Sequence, residues 1–108
     1  MNKRQRLFNR NHFLNLVEIG NRKINSLRWS SNETREHIFK KLELCMDLKK
    51  KGHNFITEVI FNGRKGRCDI LDLDTGDIWE VLKSEDIKKA KKKESYYPSE
   101  CKIYYVKC

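Results

Sequence analysis

The stretch Gly66-Arg67-Cys68-Asp69-Ile70-Leu71-Asp72-Leu73-Asp74-Thr75-Gly76-Asp77-Ile78-Trp79-Glu80-Val81-Leu82-Lys83-Ser84-Glu85 decides the architecture. Two short apolar runs, 67–73 and 78–82, flank a tight turn at Asp74-Thr75-Gly76-Asp77, which reads as a β-hairpin. Pairing the two strands sets Asp69, near the start of the first, beside Glu80, near the end of the second. Lys83 follows close behind. Two converging carboxylates with an adjacent lysine suit a divalent cation and, through it, phosphodiester hydrolysis.

Upstream, Phe55-Ile56-Thr57-Glu58-Val59-Ile60-Phe61 is a β-branched and aromatic run and reads as a strand. Asn62-Gly63-Arg64-Lys65-Gly66 is a turn rich in glycine and positive charge. Before it, Ile38, Leu42, Cys45 and Leu48 recur at helical spacing, with Phe39 and Met46 flanking that face. Ser30 with Glu33 has capping-box spacing, Asn32 competes as the cap, and Gly52 stands where a C-terminal cap belongs. Downstream, 85–97 reads as a second helix capped by Ser84, with Glu85 and Asp86 in its first turn and Pro98 ending it. Lys102-Ile103-Tyr104-Tyr105-Val106-Lys107 closes the chain as a strand. Helix, three strands, helix, strand implies a mixed α/β domain, in which the crossover through the second helix makes the last strand parallel to a neighbour.

The 108 residues leave room for one core. Residues 32–108 carry it, and residues 1–31 read as a basic arm packing partly on it: Lys3, Arg4, Arg6, Arg10, Arg22, Lys23 and Arg28 face only Glu18. Within the arm, Phe13 to Ile19 fits a short helix or a strand equally well. A formal charge of +9 points to a polyanionic partner. No apolar run approaches the ~20 residues of a membrane span, and the basic N-terminus lacks the apolar stretch of a signal peptide. The expectation is a cytoplasmic protein, or one of the host cytoplasm if the source is viral. Cys45, Cys68, Cys101 and Cys108 show no C-x-x-C pairing, so Cys45 and Cys68 read as small buried hydrophobes.

This order of elements, with G-R-C-D-I-L on one strand and I-W-E-V-L-K-S-E on the next, resembles the minimal core of the PD-(D/E)XK nuclease superfamily over about residues 33–107. That superfamily includes restriction endonucleases, Holliday junction resolvases and RecB-like phage and archaeal nucleases. The resemblance implies a restriction-endonuclease-like αβββαβ core, its mixed central sheet flanked by helices. It further implies a Mg²⁺ (or Mn²⁺)-dependent deoxyribonuclease, with Asp69 and Glu80 as metal ligands, the Val81 carbonyl as a further ligand and Lys83 orienting the attacking water. A helix acid, Glu36 or Glu33, would join them. Two departures stand out. Cys68 precedes Asp69 where the family often has proline, and the spacing here is E-x-x-K where the family has E-x-K. In a regular strand Glu80 and Leu82 share a face and Lys83 points away. Either a bulge or the strand end turns Lys83 back, or its role is lost or moved.

Around this nucleus, Arg64, Lys65 and Arg67 in the turn and Lys88, Lys89, Lys91 and Lys92 on the second helix are candidate DNA contacts to the phosphate backbone. A solvated helix face is the plainer reading of that lysine run. Glu58 lines the site or pairs with Arg67. His37 reaches phosphate or a metal-bound water, or lies on a helix surface. Trp29 stacks on a base or, by the simpler reading, packs the arm on the core. Asp72, Asp74 and Asp77 lack the spacing of a calcium loop and read as solvated turn residues. A structure-specific or nonspecific DNA nuclease, as a possible homodimer, leads. A non-catalytic nucleic-acid-binding protein that keeps the fold is the alternative, and a regulator binding an acidic protein is the third.

Overall fold

Alternation of apolar side chains along the strands sorts them into two cores. In the computed structural model, which describes residues 1–82 and 87–108, Ile56, Leu71 and Ile78 join one cluster with Phe13, Val17, Phe61 and Tyr97. Their strand neighbours Phe55, Ile70 and Trp79 pack on the other side with Cys45 and Leu48. A sheet buried on both faces therefore needs a cover for each, and the helices supply them.

The elements are α1 (Lys3–Leu16), α2 (Arg35–Lys50), β1 (Phe55–Val59), β2 (Cys68–Asp72), β3 (Ile78–Leu82), α3 (Ile87–Lys92) and β4 (Ile103–Lys107). The sheet order is β1-β2-β3-β4. β1–β2 and β2–β3 are antiparallel, and β4 runs parallel to β3, pairing Ile78 with Ile103 through Leu82 with Lys107. Mixed α/β topology with a parallel last strand follows the order read from the sequence. The capping expectation at Ser84, Glu85 and Asp86, like Lys83 itself, lies outside the described residues. Among the described residues, no helix is long and apolar enough to cross a membrane.

The N-terminal segment is a helix followed by an edge cover. Asn2 caps α1 by accepting from the Gln5 N–H, and Phe13 and Val17 enter the main core. Residues beyond α1 then run along the free edge of β1. Asn21 and Asn25 accept from the Ile60 and Phe55 N–H groups through their side chains, and the Glu18 N–H donates to the Ile60 carbonyl. Thr57 Oγ1 accepts from the Arg28 N–H and donates to the Ser26 carbonyl. An edge strand whose backbone would otherwise be open to another chain is thus closed by polar side chains of its own arm. Trp29 is 57% exposed and does not supply the packing expected of it.

α2 ends as its sequence indicates. Gly52, at φ +73, follows Lys51, and the His53 and Gly52 N–H groups donate to the Leu48 and Lys49 carbonyls. This is the paired bond pattern of a glycine-terminated helix. Its start and its buried face differ from expectation. Thr34, accepting from the His37 N–H, is the cap rather than Ser30 or Asn32. The buried residues are Lys41, Cys45 and Leu48, whereas Phe39, Leu42 and Met46 are exposed. A charged residue takes the inward position because carboxylates wait there to pair with it.

The hairpin turn is a structural joint, not a solvated loop. Asp72 and Asp74 are buried. Asp74 accepts from Arg6 Nε at 2.8 Å and from the Asn54 N–H at 2.9 Å, while Asp72 lies 2.7 Å from His53 Nδ1. Gly76, at φ +82, is required twice over: a Cβ there would lie 2.2 Å from Phe13 Cζ. The turn, α1 and the entry to β1 are locked together by these contacts.

Candidate functional site

The site forms where β2 and β3 part. Their ladder joins Ile70 to Trp79 and Leu71 to Ile78. The next position in the same register sets Asp69 against Glu80, but there side chains replace the backbone ladder. The Asp69 N–H donates to Glu80 Oε1 at 2.8 Å, and the Val81 N–H donates to Asp69 Oδ2 at 2.7 Å. The two acids are therefore neighbours, as the hairpin reading required. Tyr97, arriving after α3, donates its hydroxyl to Glu80 Oε2 at 3.1 Å. Burial first, and the adjacent Asp69 charge second, push the Glu80 carboxyl up to about 7. The same burial, then the Glu80 charge, drive the Tyr97 phenol far upward, which keeps it a donor.

α2 brings the second half. Glu33, just ahead of the Thr34 cap, accepts from the Ser30 N–H at 2.7 Å. Lys41, two turns along, is fully buried and donates to the Arg28 carbonyl at 2.7 Å, to Glu33 Oε1 at 3.1 Å and to Glu58 Oε1 at 3.0 Å. All three ammonium protons have acceptors, which is what makes a buried lysine tolerable. Its hydrogen bond and charge, with the Ser30 N–H, hold the Glu33 carboxyl below its ordinary range although burial alone would raise it. Glu58 adopts φ +54 inside β1, a conformation rare for a residue with a side chain. There it also meets Arg67, whose guanidinium lies 3.6 Å from Glu58 Oε2. Backbone strain of this kind costs about 1–3 kcal/mol and persists only where surroundings enforce it.

His37 bridges the halves. Its Nδ1 faces Glu33 Oε1 at 2.7 Å, off the line of a proper hydrogen bond, and its Nε2 lies 3.4 Å from Asp69 Oδ2. Contact with Asp69 raises the imidazole midpoint, against the opposing effect of burial. Glu33, His37 and Asp69 each offer a donor atom within 4.8 Å of the others. Two carboxylates and an imidazole are a donor set that matches a first-row divalent ion, so the residues present fit a metal. Glu80 is not in that convergent trio; its oxygens serve Asp69 and Tyr97.

The carboxylates open onto a cavity of about 380 Å³ that Asn32, Arg67, Lys89, Ala90 and Lys93 help to line. A second hollow, of about 520 Å³, shares Glu33, His37, Arg67 and Asp69 with it. Of the residues singled out from the sequence, Asp69, Glu80, Arg67 and Lys89 thus meet in one cleft. Glu36 is exposed in the first turn of α2 and lines neither hollow; Glu33 occupies the position foreseen for one of the two. Lys65, Lys88, Lys91 and Lys92 are exposed outside the lining, and Arg64 donates to the Ser95 and Tyr97 carbonyls at 3.4 Å. Lys93, part of the lysine run read on the second helix, also reaches the lining; Lys41 and the role of the Tyr97 hydroxyl were not foreseen. A lysine at i, i+4, i+7 spacing with Cys45 and Leu48 was the available sign for Lys41.

No family model, curated protein or solved structure matches the chain.

Proposed function

We propose that this protein is a metal-dependent nuclease that hydrolyses phosphodiester bonds of DNA. One observation carries the reading: Asp69 and Glu80 stand side by side at the point where β2 and β3 separate, facing a cleft rimmed by Arg67, Lys89 and Lys93. The resemblance of the α-βββ-α-β order to the PD-(D/E)XK core supports it, as does the formal charge of +9. Asp69, with Glu33 and His37, would hold the divalent ion. When bound, that ion supplies an acidified water and charge stabilisation at the phosphate. The Val81 N–H and Tyr97 hydroxyl fix the two acids in place, and the rim cations hold the phosphate backbone without reading sequence. Structure-specific or nonspecific cleavage follows from so small a contact surface. Lys83 lies outside the described residues and takes no role in this account.

The test is incubation of the full chain with plasmid and branched DNA in Mg²⁺ or Mn²⁺. Cleavage that disappears with chelator and in Asp69→Ala supports the reading, and full activity in that variant rejects it. One observation favours the other reading, a DNA-binding protein without catalysis: both Glu80 oxygens are already hydrogen-bonded within the protein. It predicts salt-sensitive DNA binding, unchanged by metal, with no strand cleavage.

A further inference from the structure

We propose that the basic arm carries a second binding site for the phosphate backbone of DNA, a cationic hollow at the far end of α2 from the acidic cleft. The choice of DNA as the polyanion rests on the nuclease reading; the site itself comes from geometry. Lys3, Arg6 and Arg10 stand at i, i+3 and i+7 along α1 and so share one face of it. With Leu7, and with Gly52 and Asn54 from the connection between α2 and β1, they line a hollow of about 360 Å³. The first turn of α2 borders the cleft and Gly52 follows its last turn. The helix's 16 residues therefore set the two sites about 24 Å apart along it.

The three cations are not equivalent. Arg6 is committed to the fold: its Nε donates to Asp74 Oδ2 at 2.8 Å, and its guanidinium also donates to the Gly52 carbonyl. The other Asp74 oxygen accepts from the Asn54 N–H at 2.9 Å. Arg10 Nε lies 3.9 Å from that second oxygen, beyond hydrogen-bond reach. It is buried and, among the described residues, has no hydrogen-bond partner. A buried donor left open is costly unless something else fills it. The Arg10 side chain is nonetheless 40% exposed, so a ligand can reach it. Asp74 balances one of the three charges on this face of α1 and leaves two, and the neighbouring Asp72 is matched by His53 at 2.7 Å. Phosphate supplies what is missing, because a guanidinium binds its oxygens through paired N–H donors and a lysine adds a point charge. Lys3 is exposed, as are Lys49, Lys50 and Lys51, which directly precede Gly52. A row of cations from Lys3 across the hollow to Lys51 exceeds the needs of one phosphate group and suits a chain of them.

Binding of the full chain to a labelled duplex of about 20 base pairs, in chelator and over a series of salt concentrations, tests this. Lys3→Ala combined with Arg10→Gln should lower the slope of log affinity against log salt by about 2 and weaken binding about tenfold or more at low salt. Lys3→Ala alone, at an exposed position, should lower the slope by about 1, so damage to the fold from the Arg10 change does not decide the outcome. On the unmodified chain, the duplex should move the NMR signals of the Gly52 and Asn54 amides and of the Arg10 Nε–H. Inorganic phosphate alone should move the same signals only at far higher concentration. An unchanged slope in both variants, or signals that respond to inorganic phosphate and not to DNA, overturns the proposal. The two readings fail separately. DNA binding that depends on Lys3 and Arg10 without strand cleavage removes the nuclease and leaves the site. Cleavage with an unchanged slope in both variants does the reverse.

Discussion

Replacing Glu80 with glutamine should make the protein more stable at neutral and alkaline pH while removing the proposed activity. The side chain is buried, at 5% exposure, and its midpoint moves from 4.5 to about 7. At 1.36 kcal/mol per tenfold change in proton affinity, that displacement corresponds to roughly 3 kcal/mol. Its sign follows from proton counting. Between about pH 4.5 and 7 the unfolded chain releases this proton and the folded chain retains it, so stability falls as pH rises. Above about 7 the whole difference has been lost. Glutamine does not titrate, can still accept from the Asp69 N–H, and can donate to the Tyr97 hydroxyl. In buffer with chelator at about pH 8, the variant should therefore gain as much as roughly 3 kcal/mol, and near pH 4 almost nothing. Urea unfolding reads this out: with an m value of about 2 kcal/mol/M, the midpoint moves up by roughly 1.5 M. His37 contributes a second loss, because its raised midpoint stabilises the fold below about 6.5 and that benefit disappears as pH rises through the folded value. Both chains share that loss, so their difference isolates Glu80. Equal urea midpoints at about pH 8 would refute the reasoning.

Three further outcomes are expected. Gly76→Ala, whose Cβ would meet the Phe13 ring at φ +82, should cost roughly 2–4 kcal/mol in thermal unfolding; in a Phe13→Ala background most of the steric part should vanish, and an undiminished cost would place the strain in the backbone alone. Lys41→Met leaves Glu33 and Glu58 buried against each other and should destabilise by roughly 3–5 kcal/mol in urea, with Glu58→Gln recovering part of the loss. Alanine at Lys88, Lys91 and Lys92 should lower the slope of log affinity against log salt by about 0.9 for each lysine that touches a phosphate, measured by fluorescence anisotropy with labelled duplex DNA; an unchanged slope removes these three lysines from the interface and leaves the rim cations Arg67, Lys89 and Lys93.

The hairpin was the most legible part of the chain because its register is set by two local facts, the turn and the alternation of Ile70, Leu71, Ile78 and Trp79. Those facts alone put Asp69 beside Glu80. The parallel pairing of β4 followed from the crossover rule, and the end of α2 from Gly52. What escaped was governed by partners distant in sequence. Asp74 reads as a turn residue until Arg6, 68 positions away, is known to reach it. The inward face of α2 reads as Leu42 beside Cys45 and Leu48 until Glu58, on a strand, claims Lys41 and Leu42 turns outward. Glu33 and Glu36 differ by one helical turn, and local spacing could not choose between them. Phe13 to Ile19 fitted helix and strand equally because that run straddles the end of α1 at Leu16, and α1 buries only Phe13 of its fourteen residues, too little for a periodic pattern.

Asp74 and Glu80 make the case that the cleft was shaped by something other than stability. Both are buried acids at opposite ends of the same hairpin. Asp74 is met by Arg6 and two Asn54 donors, and these hold its carboxyl below the ordinary range even though burial works the other way. That is how a buried carboxylate looks when its task is to hold a fold together. Among the described residues, Glu80 has no cationic partner within hydrogen-bond reach, and it sits beside another acid. Glu58 is strained only a strand away. A chain that can satisfy Asp74 so fully could satisfy Glu80 the same way, with one basic side chain turned inward. Adjacent acids such as Asp69 and Glu80, short of positive charge among the described residues and next to a cationic rim, are instead what a site needs if the missing charge is to come from a divalent ion.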